Sequence, residues 1–159
     1  MSTDELHSTA RELVAPGKGV LAADESNPTI GKKFEALGIP ADEAHRRDYR
    51  AMLLSTPGLA EFISGVILYD ETIRQQTPGG SPFPDFVAGK GIIPGIKVDT
   101  GAKPLAGSDE KVTEGLDGLR ERLDEYRGLG GNDSQSGEPS SRSATTALAP
   151  TASAPMLML

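Results

Sequence analysis

Apolar residues along the first 130 positions alternate between two rhythms. Leu6, Ala10, Leu13 and Val14 fall at i, i+4, i+7 and i+8, which predicts a helix over residues 3–15 stopped by Pro16-Gly17. Gly19-Val20-Leu21-Ala22-Ala23 is then a continuous apolar run, the pattern of a buried strand. Ile30, Phe34 and Leu37 mark a short helix closed by Gly38. Asp42 to Leu54 reads as a charged helix with Tyr49, Met52 and Leu53 on one side. The strand rhythm returns at Gly65-Val66-Ile67-Leu68-Tyr69 and at Ile92 to Asp99. A short helix around Phe83, Phe86 and Val87 separates them. Leu116, Leu119, Leu123 and Tyr126 form the last helical stripe, ending at Gly128.

The order is a helix followed by three strand–helix units. Continuous rather than alternating apolar strands indicate a parallel sheet with helices over its faces. Each strand ends in charge: Asp24-Glu25, Asp70-Glu71, and Lys97 with Asp99. Parallel α/β folds place their chemistry at the carboxyl ends of strands, so the three ends in register describe one polar mouth. Ordinary solvation of strand ends explains the same pattern.

Composition divides the chain. Residues 132–159 hold six serines, three prolines, no aromatic, and only Asp133, Glu138 and Arg142 as charges. Such a segment buries too little apolar surface to order itself, so residues 1–130 are expected to form the domain and 131–159 a disordered tail. The formal charge of −7 argues against a nucleic-acid partner. No apolar run reaches the roughly 18 residues of a membrane span, and the acidic start is no secretory signal. A cytoplasmic protein is the expectation. Without cysteine there is no disulfide, thiol nucleophile or thiolate metal site.

Among candidate reactive groups, Asp24 directly follows an apolar strand, so its carboxylate should emerge at the sheet rim. Ile96 and Val98 point to one face of the third strand and Lys97 to the other. A lysine on an interior face is costly unless paired or bound to an anion. Asp24 and Lys97 could hold a polar substrate and steer protons, or form a structural ion pair. Ser26 and Thr29, with Lys32-Lys33 one turn on, resemble a phosphate site at a helix start; a capped helix with a solvated basic end is the plainer alternative. Arg46, Arg47 and Arg50 read as solvated helix charges. His7 and His45 lack metal-ligand spacing.

Several blocks resemble class I fructose-1,6-bisphosphate aldolases. These are Leu13 to Ser26, Ser64 to Thr72, Gly95-Ile96-Lys97-Val98-Asp99, Pro104-Leu105-Ala106-Gly107 and Gly115-Leu116-Asp117-Gly118-Leu119. They occur in family order over residues 5–130, and Asn27-Pro28-Thr29-Ile30 resembles the bacterial members. The resemblance implies the N-terminal part of a (β/α)8 TIM barrel, about three strands of it, in a metal-independent and cofactor-free family of cytoplasmic homotetramers. It implies reversible cleavage of fructose 1,6-bisphosphate into dihydroxyacetone phosphate and glyceraldehyde 3-phosphate through a lysine Schiff base. By position, Asp24 matches the aspartate at the substrate hydroxyl of the cleaved bond, and Lys97 a nearby cationic lysine. Ser26, Thr29 and Lys33 match phosphate contacts, Lys33 standing where the family usually has arginine. Arg46 matches another arginine linked to substrate phosphate.

The family's Schiff-base lysine, its catalytic glutamate and its second-phosphate residues lie beyond the matching part. Where the family continues Lys-Trp-Arg-Ala-Val-Ile after Gly128-Leu129-Gly130, this chain has Ser136-Gly137-Glu138-Pro139-Ser140-Ser141 a few residues on. The codons AAG TGG CGA GCC GTC ATC TCG, read one base later, encode Ser-Gly-Glu-Pro-Ser-Ser. A frameshift near Gly130 is therefore expected, with a truncated aldolase as its product. A non-catalytic pseudoenzyme fragment or phosphosugar-binding module is the alternative. Three strands with bare edges imply marginal stability and a tendency to aggregate.

Overall fold

The computed structural model describes residues 3–130, together with the backbone of Ala147–Leu148 and Met156–Met158. It opens with helix α1 (Thr3–Leu13), which buries Thr9 and Leu13. Strand β1 (Gly19–Ala23) leads to α2 (Asn27–Ala36), which is entered through Ser26 with Pro28 in its first turn. Helix α3 (Glu43–Leu54) begins at Asp42, whose carboxylate accepts the His45 backbone N–H at 2.9 Å. A short α4 (Leu59–Phe62) runs into β2 (Ile63–Leu68). Two short helices, α5 (Asp70–Ile73) and α6 (Phe83–Ala88), precede β3 (Ile93–Lys97).

Strands β1, β2 and β3 are adjacent and parallel, in chain order, with Ala22 opposite Ile67 and Ile67 opposite Gly95. This is the parallel strand–helix arrangement expected from the unbroken apolar runs. Ala23, Val66, Leu68 and Ile96 point under the helices, where they join Leu54, Ile73, Phe83, Val87, Val98 and Tyr126 in one core. Val20 and Ala22 alternate with Leu21 and Ala23 and stay exposed. One face of the sheet is thus covered by helices and the other is open at Val20 and Ala22, which corrects the expectation of helices over both faces.

A hairpin follows β3, which the sequence pattern does not announce: β4 (Gly101–Pro104) pairs antiparallel with β5 (Lys111–Glu114). Nearly all of its residues are exposed, so no buried face imprints an alternation on the sequence. Helix α7 (Leu119–Leu129) then returns to the core through Tyr126. Leu116, read as part of that stripe, precedes the helix and is exposed; Met52 on α3 is exposed too, the buried positions there being Arg50 and Leu54.

Two strands lie within the tail. β6 (Ala147–Leu148) pairs with β7 (Met156–Met158), and β7 runs antiparallel along β3, Met156 opposite Lys97. The tail's composition gives no strand period, so this pairing was not legible beforehand. It satisfies the backbone edge of β3 that a three-stranded sheet would leave open. For the rest of 131–159, the expected disorder and the frameshift fall outside the described residues. No helix among those described is long and apolar enough to cross a membrane.

Candidate functional site at the strand ends

The carboxyl ends of β1, β2 and β3 bring their charged residues to one edge of the sheet. Lys97, the last residue of β3, turns away from the core that takes Ile96 and Val98. Its Nζ lies 3.5 Å from an Asp24 carboxylate oxygen and in contact with Asp99. Burial lowers its proton affinity, but the Asp99 and Asp24 carboxylates outweigh this and hold the ammonium above its ordinary value. Asp24 and Lys97, separated by 73 positions in the sequence, are therefore direct neighbours through parallel pairing with β2 between them.

Backbone contacts fix this end of β3. The Arg122 guanidinium on α7 donates to the Val98 carbonyl at 3.1 Å and the Gly115 carbonyl at 2.6 Å. Gly115 has φ +148°, and a Cβ there would lie 2.7 Å from the Val98 oxygen and 2.8 Å from the Asp99 Cα. Only glycine lets the hairpin come this close to the strand end. The Asp99 carboxylate also accepts the Gly101 backbone N–H at 3.0 Å, which aims it back at Lys97.

A second cluster sits beside the first. Ser26 Oγ and Thr29 Oγ1 are 3.0 Å apart at the start of α2. Lys33, one turn further along, pairs with Glu25. That bond holds the Lys33 ammonium above its ordinary value; burial pushes Glu25 up, but Lys33 and Arg50 together bring it below the usual carboxylate value. Arg46 donates Nε and Nη2 to the two oxygens of Glu71 at 2.8 and 2.5 Å, and Asn27 adds a third bond to Glu71 at 3.2 Å. The Glu71 hydrogen bonds hold the Arg46 guanidinium above its ordinary value.

The expectation that Arg46 and Arg50 are solvated is thus corrected. Arg50 is 3 % exposed and bonds both the side chain and the carbonyl of Glu25, at 3.2 and 2.8 Å. Its place is set by helix geometry: Arg46 and Arg50 are four residues apart on α3, so both face the strand ends. Sequence reasoning named Glu25, Glu71 and Asp99 only as strand-end charges and gave no role to Arg50, Arg122 or Gly115. The i, i+4 spacing of the arginines was the available signal for Arg50. Nothing local marks Arg122 or Gly115, whose contacts join segments the chain pattern does not connect.

A third network, facing outward, joins Asp70 to Arg74 at 2.8 Å and to the Tyr126 hydroxyl at 2.9 Å, while Arg74 also pairs with Glu125. It fastens α7 to the end of β2.

Comparison with known proteins assigns this architecture. The family model "Fructose-bisphosphate aldolase class-I" matches residues 5–135. A probable class 1 fructose-bisphosphate aldolase of Xanthomonas campestris is 60 % identical over 131 residues, 82 % of this chain and 39 % of that relative. The Drosophila melanogaster fructose-bisphosphate aldolase is 53 % identical over 126 residues, covering 78 % and 35 %. A solved structure of the Plasmodium falciparum aldolase, in complex with TRAP and a small-molecule inhibitor, superimposes with a TM-score of 0.76 at 46 % identity, over 80 % of this chain and 37 % of that one. The chain spans less than two fifths of the length of these relatives. The three parallel strands and their helices are the N-terminal part of a TIM barrel, and the chain belongs to the class-I fructose-bisphosphate aldolase family.

Proposed function

We propose that this chain supplies one wall of a class-I aldolase site, binding a phosphorylated sugar for reversible cleavage of fructose 1,6-bisphosphate to dihydroxyacetone phosphate and glyceraldehyde 3-phosphate. The observation that carries the reading is the Asp24–Lys97 pair at 3.5 Å, on the strand ends of a segment that matches the family. Asp24 would accept a hydrogen bond from the substrate hydroxyl at the cleaved bond. Lys97, its ammonium paired with Asp24 and Asp99, would stabilise negative charge. Ser26, Thr29 and Lys33 would take a phosphate group, and Arg46 would border it. In the family the Schiff-base lysine belongs to segments beyond the matched residues, and an out-of-frame tail would explain why the match stops where it does.

Borohydride trapping with dihydroxyacetone phosphate tests the division of labour. The expected result is sugar-phosphate binding by this chain without a covalent lysine adduct. An adduct at any lysine would show that the chain carries the Schiff-base chemistry itself. Sequencing the gene across the codons for Gly128 to Arg142 tests the frameshift: the alternative frame should encode Lys-Trp-Arg-Ala-Val-Ile, and any other reading rejects it.

A further inference from the structure

Lys33 and Arg46 are anchored in different ways, and the difference decides which of them can move. Arg46 commits Nε and Nη2 to Glu71 and Nη1 to the Ala41 carbonyl at 2.5 Å; its side chain is 15 % exposed and that of Glu71 21 %. Three of its five N–H donors are thus engaged in a half-buried fork, so leaving Glu71 for a phosphate would break a two-point pair. Lys33 is held by Glu25 and is 59 % exposed. Glu25 has a second counter-ion in Arg50, which is buried and tied to the Glu25 backbone carbonyl. If Lys33 departs, Glu25 keeps Arg50. If Arg46 departs, Glu71 keeps only the Asn27 amide.

We infer that Glu25 and Arg50 form an electrostatic latch that stores Lys33 and releases it to a phosphate group docking beside Ser26 and Thr29, while Arg46 stays on Glu71. This rests on the reading of Ser26, Thr29 and Lys33 as the phosphate site. Glu25 competes with the phosphate for one ammonium group. Arg50 makes the exchange tolerable, because a partly buried carboxylate is never left without a counter-charge. Glu25 and Arg50 are positioning residues acting through Lys33.

Calorimetric titration of the full chain with inorganic phosphate at fixed ionic strength tests the latch. Glu25→Gln should tighten phosphate binding by about fivefold, Lys33→Met should weaken it by about as much, and the double variant should bind like Lys33→Met. Phosphate binding by the wild type that Glu25→Gln leaves unchanged or weakens overturns the latch and spares the phosphate site. Absence of binding by both chains overturns both. Should Glu25→Gln fail to fold, NMR of the wild type decides. Phosphate should shift the Lys33 ammonium resonance, identified by its loss in Lys33→Met, and leave the Arg46 Nε–H in place. A shift of Arg46 with Lys33 unmoved overturns the proposal.

Discussion

The two faces of the β1–β2–β3 sheet use alternate residues of the same strands for different ends. Under the helices, Ala23, Val66, Leu68 and Ile96 are at most 1 % exposed. On the opposite face Val20 is 39 % exposed, Ala22 is exposed, and Lys97 reaches across to Asp24. Burial of large apolar side chains concentrates stability on the first face. The second is thinly packed around small residues, Ala22, Gly65 and Gly95, and rises to paired charges at the strand ends. Substitutions on the two faces should therefore separate folding from binding.

The largest expected effect comes from Leu68→Ala, which leaves a cavity in the covered face and should cost about 2–5 kcal/mol in urea unfolding. Ile67→Ala, its neighbour on the open face, should cost clearly less; equal losses would erase the distinction between the faces. Next comes Lys97→Met, which leaves the Asp24 and Asp99 carboxylates facing each other without their shared cation. It should lower stability by about 1–3 kcal/mol, partly recovered by adding Asp24→Asn. Binding of fructose 1,6-bisphosphate should fail in both variants, which calorimetry would read. Tyr126→Phe removes the hydrogen bond to Asp70 and should cost about 1 kcal/mol with binding unaffected.

Acid sharpens the same contrast. Glu25 is held below its ordinary value of 4.5, so its pairing with Lys33 and Arg50 contributes stability above about that pH. The contribution is lost as pH falls through the lower folded value. The urea midpoint of the wild type should drop between pH 5 and 3, and Glu25→Gln should flatten that part of the profile. At the small end, Val20→Thr on the open face should change stability by no more than about 0.5 kcal/mol.

Much of this was legible in the residues themselves. The apolar runs at 19–23, 65–69 and 92–98 predicted parallel strands correctly, although Val20 and Ala22 on one face stay exposed. The charges after each run are brought to one edge of the sheet, where Lys97 meets Asp24 and Asp99. The alternation of Ile96, Lys97 and Val98 assigned each to its face, since side chains in a strand point to opposite sides in turn. Partnership was another matter. Lys97 could be free or paired on sequence alone, and its contacts with Asp24 and Asp99 follow from sheet register and from the backbone bonds of Arg122. Arg46 and Arg50 look like solvent charges on a polar helix. They become counter-ions, Arg50 buried and Arg46 half-buried, only because α3 lies against the ends of β1 and β2. The pairing of Met156–Met158 along β3 likewise depends on an edge left available by the sheet. Local periodicity determined which elements form and which face each residue takes. Only the tertiary structure decided which charge neutralises which, because Coulombic and hydrogen-bond partners are set by distance in space, to which a linear pattern is blind.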